Sequence, residues 1–304
     1  MDKKSDSKKA KKGSIVKWLF IVPISTAIVI LGYESLTQHY YPAYSILSAL
    51  HRSGLLISFP ALHRPSRGIW LPLGWLGGAM MCSLMLYSLR KRVHHLNRLG
   101  SLRIWLLVHI FLGLMGPTLI VFHTTFKLNG IVATSFWAMI TTMCFGILGR
   151  YIYVQIPRSI NGTELKSGDI DSMVEGLDKD LGEMLPDAKL SGMLEKIIAP
   201  GAGATDLNPL KALFFYIRND FGNMYRIFEL KSKLKSQYNL PGSARREIIS
   251  VFKKKASLVR KRSFLKTSQK LLNYWHVIHI PLALLMFFIM FLHIAAYFIF
   301  RPTV

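Results

Sequence analysis

Long apolar stretches recur along this chain and alternate with shorter polar segments. Five of the stretches are close to the roughly 20 residues that a helix needs to cross the hydrocarbon core of a bilayer. The pattern therefore predicts an all-α, polytopic membrane protein in which about five transmembrane helices form a bundle. The predicted transmembrane helices are residues 14–33, 67–90, 101–124, 131–154 and 271–300.

The charges of the polar segments predict how the chain is oriented. Lys and Arg number 39 against 16 Asp and Glu, a net charge of +23, and the basic residues flank the apolar stretches. The positive-inside rule accounts for this distribution, so nucleic acid is not expected as a partner. We expect an integral protein of a bacterial inner membrane, with the N-terminus in the cytoplasm and the C-terminus outside. The other segments are a basic cytoplasmic tail at residues 1–13, an outer loop at 34–66 and a cytoplasmic helical insertion at 155–270.

The insertion changes in charge along its length. Residues 164–187 are acidic, whereas residues 231–270 carry thirteen basic side chains and one glutamate. The basic segment is suited to anionic lipid or to an acidic redox partner. Between them, the sequence that follows Pro209 predicts an amphipathic helix, lying on the inner membrane surface, against a partner or within a small helical domain. No GxGxxG, Walker-type or HExxH motif indicates nucleotide binding or proteolysis.

The two cysteines of this chain are not expected to carry its function. Its two cysteines, Cys82 and Cys144, both fall inside apolar stretches. They provide no disulfide framework, no CxxCH motif for covalent haem and no ligand set for an iron–sulfur cluster. Any cofactor must therefore be held by other ligands.

Histidines provide a more specific signal. The third predicted span contains HIFLGLMGPTLIVFH, from His109 to His123, and the fifth contains HIPLALLMFFIMFLH, from His279 to His293. Fourteen helical residues separate the members of a pair by about 21 Å and keep them on nearly the same face. Because these two spans are parallel in the predicted topology, the pairs should face each other at two depths. The matched spacing predicts bis-histidine ligation of two stacked b-type haems, with hydrogen-bonded polar histidines as the alternative.

Neighbouring residues offer weaker signals. Gly116 lies midway between His109 and His123, and Gly113 lies one turn away, so both could leave room for a porphyrin or simply for helix packing. Helical phase makes His276 a poorer ligand than His279. It is a candidate contact for a haem propionate or a quinone, or an interfacial residue. The further candidates for propionate or quinone contacts are Arg103, Lys127 and Arg67.

The four histidines, spaced HxxxxxxxxxxxxxH on two helices with a central glycine in one, resemble the diheme membrane cytochromes b. They are similar to cytochrome b of quinol–cytochrome c oxidoreductases and to the transmembrane domain of ferric reductases and NADPH oxidases. The resemblance implies that His109, His123, His279 and His293 are axial ligands of haem iron. It covers less than half of the chain, which has no PEWY-like quinol-site sequence and no C-terminal flavin and nicotinamide domain.

These patterns predict the electron-transfer membrane subunit of an oxidoreductase complex, without catalytic side chains of its own. It would carry electrons across the membrane through two haem b groups, between a quinone pool and a redox partner protein. The expected partners are lipid, quinone, and c-type cytochromes, flavoproteins or iron–sulfur proteins. A haem-free, histidine-based transporter or proton-relay subunit is the first alternative, and a structural anchor is the second.

Overall fold

The computed structural model describes residues 3–56, 65–66, 68–93, 95, 98–157, 164–185, 209–236 and 241–300, and these contain nine α-helices and no strand. The apolar stretches of the sequence lie within the helices. The helices are α1 (Lys3–Tyr40), α2 (Ile46–Arg52), α3 (Trp70–Arg92), α4 (Leu102–His123), α5 (Ile131–Gln155), α6 (Ser167–Met184), α7 (Pro209–Ser236), α8 (Gly242–Ser263) and α9 (Leu265–Ile299).

Five of these helices are long and apolar enough to cross a membrane. They are the Phe20–Tyr40 part of α1, all of α3 and α4, the Val132–Gln155 part of α5, and α9. The prediction of an all-α, polytopic membrane protein is therefore confirmed. Two helices are longer than the apolar pattern indicated, because α1 continues through the start of the predicted outer loop and α9 begins at Leu265.

A buried carboxylate explains how α1 continues past its apolar part. Glu34 is 3% exposed, and its oxygens accept hydrogen bonds from the Gln38 amide (2.8 Å), the Ser45 hydroxyl (2.6 Å) and the Ile46 backbone N–H (2.8 Å). Such charge-assisted bonds offset the cost of burying the charge. Glu34 thereby joins the end of α1 to the start of α2. His63, also in the predicted outer loop, lies outside the described residues.

The chain divides into two compact units, of which the first contains Met1–Gly146 and His279–Val304. Its core is formed by Met81 of α3, Ala138 and Met139 of α5, and Met286 of α9. Helices α3 and α4 approach closely, since a Cβ built on Gly77 would lie 2.8 Å from Ile120 Cγ1. Small residues at such a crossing allow two membrane helices to pack backbone to backbone.

The second unit, Ile147–Ile278, contains a small helical core. Leu181 of α6 packs with Leu230 and Leu234 of α7 and with Ile248 and Phe252 of α8. Ion pairs link the same helices: Lys255 with Asp178, and Arg262 with Asp171. The acidic and basic halves of the insertion therefore pair with each other, which the linear charge pattern did not reveal.

Candidate cofactor site

His123, the last residue of α4, has a defined tautomer. Its Nδ1 lies 2.7 Å from the carbonyl oxygen of Trp70, the first residue of α3. A carbonyl oxygen only accepts, so the ring proton is on Nδ1 and the lone pair is on Nε2. Metal-binding histidines commonly have this arrangement, in which a backbone carbonyl orients the ring and raises its basicity.

Gly74 makes room for the His123 ring. It lies one turn after Trp70 in α3, and a Cβ built on it would be 2.5 Å from His123 Nδ1 and 2.6 Å from Cε1. Real Cβ atoms do not approach so closely, so only glycine fits beside the ring in this position. The sequence pattern gave no reason to single out Gly74, because its role depends on a contact between two helices.

His109, at the other end of α4, also faces α3. Its ring lies 5.0 Å from the Tyr87 ring, centroid to centroid, and close to the backbone of Leu84. Trp70 and Leu84 are fourteen residues apart, as are His123 and His109. Helix α3 therefore lies beside both histidines of α4, and its Trp70 carbonyl is hydrogen-bonded to His123.

One ring nitrogen of His109 is buried and unsatisfied within the described residues. Nδ1 is buried and has no hydrogen-bond partner in the part of the chain that the structure describes. Leaving a buried polar atom unsatisfied costs about 1–3 kcal/mol, so native proteins rarely retain one without a reason. An unsatisfied imidazole nitrogen in an apolar span is chemically suited to bind a metal ion.

His293 of α9 lies at the same depth as His123. The two imidazoles are near enough to interact electrostatically. One turn beyond His293, the Tyr297 ring packs edge-on against Trp75 of α3 at 6.0 Å. The end of α9 and the end of α4 therefore meet the beginning of α3 at one level.

His279 of α9 faces α5 at the opposite level. A Cβ built on Gly146 would lie 3.9 Å from His279 Cε1, which is ordinary contact distance. Gly146 in α5 is thus a second glycine next to a predicted ligand, and sequence analysis did not identify it. A glycine in α5 gave no signal because its partner lies more than a hundred residues away in the chain.

A methionine layer separates the two histidine levels. Met286 lies seven residues from both His279 and His293, as Gly116 does from both His109 and His123. Met81 of α3 lies near both of these central residues. It belongs to the same core as Met286, and its sulfur would be 3.2 Å from a Cβ built on Gly116. With the His123 and His293 ends also at one level, α4 and α9 run parallel.

Both glycines of α4 that were considered as space for a porphyrin face α3. The space beside Gly116 is taken by Met81, and a Cβ on Gly113 would lie 3.8 Å from Leu84 Cδ2. These contacts correspond to the helix-packing alternative. A direct role in clearing a haem remains a prediction.

The predicted propionate or quinone contacts are spread along the chain. Arg103 is exposed in the first turn of α4, and Lys127 is exposed in the turn after His123. His276, in the second unit, is exposed and donates through Nδ1 to the Leu272 carbonyl at 2.8 Å, while its ring meets Trp275 edge-on. The exposure of this ring is that of an interfacial residue. Arg67 lies outside the described residues.

The structure brings His123 and His293 near each other, whereas at the other level His109 contacts α3 and His279 contacts α5. No group of three or more His, Cys, Asp or Glu side chains comes together in the described ranges. Two nitrogen ligands from facing helices are what a six-coordinate haem iron takes from a protein. The donor set, the carbonyl that orients His123 and the unsatisfied His109 nitrogen therefore fit haem.

Comparisons with protein-family models, characterised proteins and solved structures find no match to this chain. The assignment of a function consequently rests on the residues and their geometry. The resemblance to diheme cytochromes b is based only on the four histidines and their spacing.

Proposed function

We propose that this chain is a diheme b-type cytochrome subunit that carries electrons across the membrane, between a quinone pool and a redox partner protein. The observation that carries the proposal is the Nδ1–H bond from His123 to the Trp70 carbonyl. It gives a membrane histidine the tautomer and orientation of a metal ligand at one of two matched levels. An intramembrane imidazole is costly to retain without such a role.

In this proposal each level holds one haem. His123 and His293 would hold the haem nearer the outer face, and His109 and His279 would hold the haem nearer the cytoplasm. Bound haem supplies the one-electron chemistry, since its iron alternates between two oxidation states. The chain would supply the histidine ligands, and it holds the His123 ring in position and surrounds both levels with apolar side chains.

Two levels are needed because one cannot serve both faces of a bilayer. Fourteen helical residues span about 21 Å, which is about two thirds of the roughly 30 Å hydrocarbon thickness. A single haem in the middle would leave hydrocarbon between itself and any donor or acceptor in water. Histidine ligands at two levels would divide that distance, and Met81 and Met286 lie between the two levels.

The first alternative is a haem-free proton relay, which the unsatisfied Nδ1 of His109 would also suit. However, the proton on His123 Nδ1 is held by a carbonyl, and methionines lie between the histidine levels. A relay needs hydrogen-bonding groups along its whole length. The layer of Met81 and Met286 offers thioethers instead, which are poor proton carriers.

Transmembrane electron transfer tests the proposal directly. The haem-loaded protein is reconstituted into vesicles that contain ferricyanide, and dithionite is added outside. The proposal predicts that the trapped ferricyanide is reduced many times faster than in protein-free vesicles, and that His109→Ala and His123→Ala each abolish the acceleration. Reduction at the protein-free rate by the haem-loaded wild type would contradict it. Proton uptake without ferricyanide reduction would favour the relay.

A further inference from the structure

Helix α7 carries an exposed apolar stripe that the electron-transfer proposal does not use. Phe214, Ile217, Tyr225 and Phe228 are exposed, and Tyr225 and Phe228 each have 71% of their surface accessible. Their spacing of three, eight and three residues keeps them within about 80° of one another around the helix. The opposite face contributes Leu230 and Leu234 to the core of its unit, so the aromatic stripe faces away from that core.

Basic residues border the stripe on both sides. Lys211 and Arg218 lie along one edge, Lys231 and Lys235 lie along the other, and all four are exposed. The Arg218 guanidinium also stacks over the Phe215 ring at 5.7 Å. Apolar and aromatic side chains with cations at their borders are typical of helices that lie in the headgroup region of anionic membranes.

A hydrogen-bonded cluster attaches α7 to the end of a membrane-spanning helix. The Asp220 carboxylate accepts from the Tyr151 hydroxyl at 2.6 Å and from the Gln155 amide at 3.4 Å, and it pairs with Arg260 at 2.5 Å. Gln155 is the last residue of the apolar span in α5. Because that span ends where hydrocarbon gives way to headgroups, the middle of α7 is held at the membrane surface.

From these observations we infer that the α7 stripe inserts into the headgroup region of an anionic leaflet, beside the end of α5. The occupant is lipid because a bilayer necessarily surrounds α5, so its surface is present wherever Asp220 holds α7. The cationic borders match its charge, and polybasic contacts contribute about 1 kcal/mol for each Lys or Arg near an anionic surface. The inference is independent of haem binding.

The test uses the full-length protein in vesicles and a reporter on the stripe. In a background with Cys82→Ala and Cys144→Ala, Phe228→Cys is labelled with a nitrobenzoxadiazole dye, and Tyr225→Cys serves as a second reporter. Met173→Cys is the control, because Met173 of α6 is 50% exposed but lies outside the stripe. Vesicles contain phosphatidylglycerol, with or without lipid that bears a nitroxide quencher near its headgroup.

Both stripe reporters should emit at shorter wavelength than the Met173 control and should be quenched several-fold more by the nitroxide lipid. Quenching should also decrease when phosphatidylcholine replaces phosphatidylglycerol. Stripe labels that behave like the control would overturn the inference. So would labels that are shielded from aqueous iodide yet not quenched by nitroxide lipid, since that result would show a protein on the stripe. Equal quenching in phosphatidylglycerol and in phosphatidylcholine vesicles would overturn the preference for anionic lipid.

Discussion

The Nδ1–H group of His123 donates a hydrogen bond to the Trp70 carbonyl oxygen across 2.7 Å, and this contact joins the end of α4 to the start of α3. It determines which nitrogen of the ring is available to bind a metal ion. Backbone carbonyls are not removed by side-chain substitution, so this orientation depends on how closely the two helices approach. That approach depends in turn on the small residues of α3.

Substituting Gly74 should disturb the His123 level alone. In Gly74→Ala the new methyl would lie 2.5 Å from His123 Nδ1, so the ring must leave its position. Loss of an orienting contact commonly weakens metal affinity by about 10–100-fold. We expect haem content to fall from two toward one per chain, measured by absorbance after pyridine treatment. Gly78→Ala is the matched control, because nothing lies within 4 Å of a Cβ there, and equal haem contents of the two variants would argue against the role of Gly74.

His276 and His279 should differ in their effect on haem. His276 is exposed and lies about 100° around the helix from His293, whereas His279 shares the face of His293, so His276→Ala should retain both haems. His279→Ala should lose the haem nearer the cytoplasm, because one axial ligand is removed. Haem content and the reduced α band of both variants provide the comparison. Loss of a haem from His276→Ala with both retained in His279→Ala would assign the ligand role to His276.

The Asp220 cluster should stabilise the second unit. Asp220→Asn removes the charge that faces Arg260, whose side chain is 17% exposed, and should cost about 1–3 kcal/mol of unfolding free energy. Tyr151→Phe should cost about 1 kcal/mol, and the double variant should lose less than the sum because the two groups share one bond. Unfolding in detergent is followed by circular dichroism. The control is Asp180→Asn on the exposed surface of α6; an equal loss there would show that the cluster has no special role.

Lys261 should make stability depend on pH. Burial lowers the pKa of its ammonium group, and the neighbouring Arg260 lowers it further. The unfolded chain therefore binds more protons than the folded chain between the two pKa values, so this contribution makes stability rise with pH in that window. Lys261→Met should raise the melting temperature at pH 7, with a gain that shrinks as pH approaches the ordinary lysine pKa.

An exposed lysine in the same helix provides the comparison for Lys261. Lys254→Met should change the melting temperature little, and its effect should not vary with pH, because Lys254 lies on the surface of α8. Thermal scans of both variants at several pH values between 7 and 10.5 are the measurement. A gain for Lys261→Met that stays constant or grows with pH would contradict the prediction.

Local sequence patterns predicted the membrane helices well. The length of an apolar stretch predicts a transmembrane helix, because backbone N–H and C=O groups in hydrocarbon must form their hydrogen bonds within the helix. The same pattern missed the extension of α1 to Tyr40, since Glu34 there is stabilised by Ser45 and Ile46 from the next element. In the sequence alone, a charged residue such as Glu34 indicates a loop, because its hydrogen-bond partners in the next element are not apparent.

The candidate site was predictable only in part. The fourteen-residue spacing of His109 and His123 is visible in the sequence of α4, and the same spacing recurs in the sequence of α9. The Trp70 carbonyl has no sequence signature, and Gly74 acquires its role only when α3 packs against α4. Interhelical contacts of this kind depend on rotation about the helix axis, which weakly amphipathic membrane helices do not reveal.

Haem stoichiometry tests the central claim most directly. The full-length protein is produced with ample haem supply, purified, and its haem and protein contents are determined for the wild type and four single histidine-to-alanine variants. The account predicts two low-spin b-type haems per chain in the wild type and one in each variant at His109, His123, His279 and His293. A folded wild-type protein without haem, or one that keeps both haems after any of these substitutions, would contradict it.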